Sequence, residues 1–253
     1  MAELGLYSIA VSLTMVPGYM FQYVVNAIML PLLSRVQDQP AEFRKRYLTC
    51  AEISTAFATI LACGLIIGGE LLVTTAYGHK YAGAGAVVAW LAAANALRII
   101  RAVPTLAAMA RGDTVNNLLA NLFRVSSLIF ALVAVLQKAP ITSIAACGLV
   151  GEFLALLVSW HRLRNRQGVP LMVGIRSAVA AAAAIVIAIL VSSVKEIHAS
   201  PYLVVGAVCA TCLIAAIVMW RLFSSLRQYA LEAIRSTPCS PWFVHFLERL
   251  GSI

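Results

Sequence analysis

Apolar runs of about twenty residues or more recur along the chain from Leu4 almost to Phe223, each closed by a short cluster of charged or turn-forming residues. A helix needs about 20 apolar residues to cross the hydrocarbon core of a bilayer. The pattern therefore predicts an all-α polytopic membrane protein of about seven spans, at 4–33, 48–75, 84–110, 115–137, 141–160, 173–194 and 202–223. Pro17-Gly18 predicts a break in the first span, and Pro31 lies near its end. A turn through Tyr77, Gly78, His79, Lys80 and Tyr81 leads into the third span. Arg111-Gly112-Asp113-Thr114 reads as a loop ending in a helix N-cap. Residues 1–223 thus form one helix bundle. Residues 224–253 form a tail whose piece PWFVHFLERL, after Pro238, is amphipathic enough to lie along the membrane interface.

Composition agrees with the pattern: 62% of residues are hydrophobic and 11% charged, with a mean hydropathy of +0.90. Such a chain has no room for a large soluble domain, so function resides in the bundle. The net charge of +9 would point to nucleic acid in a soluble protein. Here the basic residues collect at the ends of apolar runs, and topology accounts for them without a nucleic-acid partner. Arg35, Arg44, Lys45 and Arg46 follow the first span, Arg111 the third, Arg162, Arg164 and Arg166 the fifth, and Arg221, Arg227, Arg235 and Arg249 the seventh. The alternate loops hold Lys80, Lys138 and Lys195. The first set is expected to be cytoplasmic, with Met1 outside and the C-terminus inside. No basic leader or cleavage site precedes the first span, an arrangement expected if further helices once preceded it.

Of the six cysteines, Cys209 and Cys212 form a CxxC, but inside an apolar run with no histidine or acidic neighbour. They read as small apolar residues and not as a redox or zinc site. His79, His161, His198 and His245 are peripheral and lack the partners of a metal or catalytic centre. No cofactor or metal is expected.

The third span carries the most informative departure from apolarity, Arg98 and Arg101 within AVVAWLAAANALRIIRAVPTLAAMA. An arginine at the bilayer centre costs about 2.5–3.5 kcal/mol on insertion scales, so a pair there is expected to face protein or a water-filled cavity. Asn95 and Thr105 continue the same face, and Pro104, following the charges, is expected to kink the helix beside them. A cationic cavity points to an anionic cargo. On the fourth span Asn117, Asn121 and Arg124 recur at four- and three-residue spacing, a second polar stripe placed to face the first. Tyr19, Gln22, Tyr23 and Asn26 give the first span hydrogen-bonding and stacking groups. Each has a structural alternative: polar side chains that bond helix to helix, or arginines held in ion pairs or snorkelling to the interface. Among the acidic residues, Glu152 near the middle of the fifth span and Glu52, with Thr55 and Thr59 on its face, are candidates for ion coupling. A salt bridge to one of the arginines is the alternative for Glu152.

The segments GLYSIAVSLTMVPGYMFQYVVNAIMLPLLSRVQD, LLVTTAYGHKYAGAG and LRIIRAVPTLAAMARGDT resemble the later half of polysaccharide flippases. These are the O-antigen and exopolysaccharide lipid-carrier translocases of the multidrug/oligosaccharidyl-lipid/polysaccharide exporter superfamily. The resemblance extends from about Gly5 to about Leu222 and weakens after the fifth span. It implies a two-lobed transporter of twelve to fourteen helices, of which this chain would be the final seven or so. It also implies alternating-access translocation of undecaprenyl-pyrophosphate-linked oligosaccharide across the bacterial inner membrane, driven by an ion gradient. The expected partners are that lipid-linked glycan, membrane lipids, and either a missing N-terminal half or a second copy.

Two other classes fit less well. A membrane-embedded polysaccharide polymerase or ligase would be expected to carry a large periplasmic loop with Arg, His or acidic groups, and the outer loops are a few residues long. A retinal-type receptor would need an intramembrane lysine, whereas Lys45, Lys80, Lys138 and Lys195 all fall in loops. A transporter, not an enzyme, is expected; a nonfunctional flippase fragment is the remaining alternative.

Overall fold

The computed structural model describes residues 2–169 and 171–228. Among them the chain is all-α, with seven long helices: α1 (Ala2–Ser34), α2 (Pro40–Tyr77), α3 (Ala84–Ala110), α4 (Thr114–Leu136), α5 (Ile141–Gln167), α6 (Leu171–Ser192) and α7 (Pro201–Leu222). Short 3-10 turns at His79–Tyr81 and Lys195–Ala199 join α2 to α3 and α6 to α7. All seven helices are long and apolar enough to cross a membrane, the mark of a multi-pass membrane protein. A further helical turn covers 224–228. The amphipathic tail piece, with Cys239 and His245, lies outside the described residues.

Two helices outrun their apolar segments. α2 starts at Pro40, where its missing N–H costs nothing, and a Glu42–Arg46 pair at 3.0 Å supports its polar first turns. α5 continues through the basic run to Gln167 and stops at Gly168, whose φ of 66° is the left-handed conformation that ends many helices. Hydropathy reports where the chain meets hydrocarbon. The backbone hydrogen bonds that extend a helix do not depend on that boundary.

The break expected at Pro17-Gly18 is absent: α1 runs unbroken through Pro17 and Pro31. Pro17 removes the N–H that would bond the carbonyl of Leu13, and a neighbouring helix braces the site. Asn95 of α3 donates from Nδ2 to the carbonyl of Thr14 at 2.9 Å, and the Thr14 hydroxyl donates to the carbonyl of Ala10 at 2.8 Å. Gly18 is what admits Asn95, since a Cβ there would collide with the Asn95 side chain. α3 likewise continues through Pro104.

α3 is the central helix and packs against α1, α2 and α5; α4 lies on α5, and α6 and α7 lie on α2. Its buried surface is rich in alanine, including Ala92, Ala96, Ala107 and Ala108. Small residues allow the close backbone approach on which helix packing in a membrane depends. Two clusters of buried apolar residues follow α2 and α3. One is centred on Ile67, Val88 and Ile99, and the other, nearer the basic end, on Phe43, Tyr47 and Val103.

The basic loops converge at one end of the bundle. The Arg111 guanidinium lies 3.9 Å over the Phe43 ring and donates to the carbonyl of Gln167 at 3.1 Å. Arg162 binds Asp113 in a fork whose two shortest bonds run from Nε to Oδ2 at 3.0 Å and from Nη2 to Oδ1 at 2.9 Å. Asp113 also accepts from the backbone N–H of Asn116, capping α4 as expected. The Arg162 guanidinium holds the Asp113 carboxyl below its ordinary value of 3.8.

Candidate functional site

Four charged side chains from three helices meet in mid-bundle. Arg98 lies fourteen residues from the start of α3 at Ala84, and Arg124 ten residues from the start of α4 at Thr114. At 1.5 Å per residue these are roughly 21 Å and 15 Å along their helices, deep within a core about 30 Å thick. Between them stands Glu152 of α5, its side chain 2% exposed. Arg98 Nε donates to Glu152 Oε1 at 2.8 Å, Arg101 Nε to Oε2 at 3.3 Å, and Arg124 Nη1 lies 3.8 Å from Oε1. Three cations share one anion, which leaves an excess of two positive charges at a depth where isolated charge is costly.

The three arginines are not equally available. Arg101 is the sequestered one, with 7% of its side chain exposed; Arg98 shows 16% and Arg124 38%. Arg98 also points Nη1 at the sulfur of Met15 on α1, 3.5 Å away. Open surface therefore begins at Arg98 and widens toward Arg124. Planar guanidiniums suit phosphate and carboxylate, because two parallel N–H bonds match two oxygens. Among the described residues no group of three or more His, Cys, Asp or Glu side chains stands close enough to hold a metal.

The other polar candidates occupy different places. Asn95 is buried and occupied with the Thr14 carbonyl, so it stitches α1 to α3 and lines no open space. Asn117 and Asn121 are half-buried on the face of α4 that leads to Arg124, and Asn121 donates to Asn117 at 3.1 Å. Gln22 is half-buried at the edge of the α1 stripe formed by Thr14, Gly18, Val25 and Met29. Asn26, Tyr19 and Tyr23 are exposed on the outer side of α1.

Glu52 lies apart from this cluster, on α2, where its carboxylate accepts from the backbone N–H of Leu226 at 2.6 Å. It borders a cavity of about 980 Å³ between α2, α6 and α7 whose other lining is largely apolar, including Val179, Ile187, Ile214 and Met219. A space of that lining suits hydrocarbon better than sugar. Thr59, on the same face as Glu52, donates to the carbonyl of Thr55 within α2.

The polar contact that sequence patterning missed is between α4 and α5. Fully buried Asn116 donates from Nδ2 to the carbonyl of Ser159 at 3.1 Å, and the Ser159 hydroxyl donates to Asn116 Oδ1 at 2.7 Å. About two turns of α5 closer to the cluster, Gly151 lies so close to Ser127 and the carbonyl of Arg124 that a Cβ there would collide. The signal was present in the spacing: Asn116, Ala120 and Ser127 form one small-residue face, and Gly151, Ala155 and Ser159 form its partner. Those two faces set the depth at which Arg124 meets Glu152.

Residues 1–86 fit the model of a family described as polysaccharide biosynthesis protein. The matched part contains α1, α2 and the turn that follows, and so Gln22, Asn26 and Glu52, while the arginine cluster lies beyond it. No curated protein and no solved structure matches the chain significantly.

Proposed function

We propose that this chain is a lipid-linked-oligosaccharide translocase, or the cavity-forming part of one, acting in polysaccharide biosynthesis at a bacterial inner membrane. The observation that carries it is the excess of two positive charges around Glu152 at mid-bundle depth, partly open at Arg98 and Arg124. A diphosphate ester supplies the opposite charge on a hydrophobic carrier. The similarity of residues 1–86 to a polysaccharide-biosynthesis family supports the same cargo class.

In this mechanism Arg101 stays on Glu152 and keeps the carboxylate in place. Arg98 and Arg124 exchange Glu152 for the diphosphate oxygens, so the site binds the moving anion without leaving an unpaired charge in the membrane. Glu152, relieved of two of its three partners, is the group placed to exchange with a coupling ion. Asn117 and Asn121, on the face of α4 that leads to Arg124, hydrogen-bond sugar hydroxyls, and Gln22 and Asn26 of α1 add such groups where an opposite wall completes the path. The exposed side of α1 sets Asn26, Tyr19 and Tyr23 among apolar residues such as Val16, Met20, Val24 and Ile28. It faces an opposite wall supplied by another segment or a second copy, and the basic end of the bundle, with the C-terminus, lies in the cytoplasm.

Replacing Arg124 tests this with the least structural damage, because it is the most exposed of the three arginines. Arg124→Gln in the working transporter is expected to lower glycan export about tenfold, with Arg124→Lys retaining more, since bidentate pairing is lost but charge is kept. Export is measured as polysaccharide reaching the cell surface per unit of transporter in the membrane. Undiminished export by Arg124→Gln would remove the cluster from the cargo path.

A further inference from the structure

At the basic end of the bundle a groove of about 480 Å³ opens between α4 and α5, separate from the arginine cluster. Its floor is apolar: Leu119 and Phe123 from α4 meet Leu157 and Val158 from α5. Its rim is basic and polar, made by the last turns of α5. We propose that this groove is a binding site for one anionic phospholipid, with the phosphate at the rim and an acyl chain along the floor.

Depth supports that orientation. Leu119 and Phe123 are five and nine residues from the start of α4 at Thr114, or roughly 7 and 13 Å inward at 1.5 Å per residue. His161, Asn165 and Arg166 lie within two turns of the end of α5 at Gln167. The charged rim thus sits where a bundle leaves the hydrocarbon and the floor runs into it, matching the two halves of a phospholipid. Basic pockets between membrane helices at this level take up anionic headgroups.

Charge selects the headgroup. Arg162 is already neutralised and pinned by its fork of bonds to Asp113. Asn165 and His161 are tied to each other at 2.8 Å through the imidazole Nε2, which orders the rim. Arg166 forms no hydrogen bond or ion pair with a described residue but lies within electrostatic reach of the same Asp113, so two arginines share one carboxylate and leave one excess cation at the groove. One cation matches a phosphodiester monoanion such as phosphatidylglycerol. A diphosphate carries more charge and is matched by the three arginines around Glu152. A phospholipid seated here would also brace α4 against α5 below the contact that positions Arg124.

Native mass spectrometry of the full chain, released from nanodiscs of mixed phosphatidylglycerol and phosphatidylcholine, tests the site. The wild type is expected to retain one phosphatidylglycerol in preference to phosphatidylcholine. Arg166→Gln should lower that retention about fivefold, and Leu119→Trp, which fills the floor without touching charge, should lower it similarly. Should Arg166→Gln fail to fold, Leu119→Trp alone gives the answer. Arg44→Gln, a basic change away from the groove, should leave retention unchanged. Inorganic phosphate at millimolar concentration should not displace the lipid, because the chain contributes to binding. Equal retention by wild type and whichever groove variants fold, or no preference for phosphatidylglycerol, would overturn the proposal. So would displacement by inorganic phosphate, or by farnesyl diphosphate at stoichiometric concentration, the latter assigning the groove to a diphosphate ligand.

Discussion

Glu152 is the residue on which the mid-bundle charges depend. A buried ion pair is weak evidence of net stability, but removing one partner of it is costly because the other charge stays buried. Glu152→Gln would leave three guanidiniums with no anion at that depth. It should destabilise the bundle by about 3–5 kcal/mol, seen as a clear drop in thermal midpoint of the detergent-solubilised protein; an unchanged midpoint would mean that water or lipid phosphate already neutralises the arginines. Asp113 makes a different, pH-dependent contribution at the basic end. Its carboxyl is held below its ordinary value by Arg162, so its stabilising effect is complete above 3.8 and is lost as pH falls through the lowered folded value. Asp113→Asn should therefore cost about 1 kcal/mol of stability at neutral pH through the weakened pairing with Arg162, read as a lower thermal midpoint, since Asn caps a helix as well as Asp. The gap from wild type should close only in acid below 3.8. A gap that closed near neutrality would assign the effect to another group.

Among the elements, number and order were legible in the sequence while ends and faces were only partly so. Apolar run length marks membrane spans reliably because burying a span of the wrong polarity is expensive. The ends of α2 and α5 lie beyond their apolar runs, because polar residues such as those of the Glu42–Arg46 pair continue a helix into water. Pro17 was misleading for a related reason: a missing N–H breaks a helix only if nothing else stabilises the turn, and the brace here is Asn95, 81 positions along the chain from the Thr14 carbonyl it binds. Arg98, Arg101, Arg124 and Glu152 stood out one by one in the sequence as charges inside apolar runs. Their meeting depends on the packing of α4 on α5, which rests on small residues that carry little signal individually. Gly151→Val tests that dependence. The added side chain must push α4 away from α5, increasing the Arg124–Glu152 separation, so export should fall by more than tenfold although no charge is altered. Normal export with Gly151→Val would show that the α4–α5 spacing does not set the site.

At the scale of the whole molecule, two features divide the bundle by chemistry. An excess of positive charge opens toward the α1 and α4 side, while the α2, α6 and α7 side holds a largely apolar cavity. A cargo with a charged, sugar-bearing head and a hydrocarbon tail needs both kinds of environment, and the seven helices of the described residues offer both. The account stands on the charged side being wet and open to an anion. Asn121, half-buried one turn before Arg124, reports on that space without altering a charge. In a background with the native cysteines replaced, Asn121→Cys should react with a negatively charged, membrane-impermeant thiol reagent, and a polyprenyl diphosphate should slow the reaction. Leu128→Cys, on the exposed apolar face of α4, should stay unlabelled. Asn121→Cys as inert as Leu128→Cys, or labelled at a rate that the diphosphate leaves unchanged, would contradict a water-filled anion path at the arginine cluster.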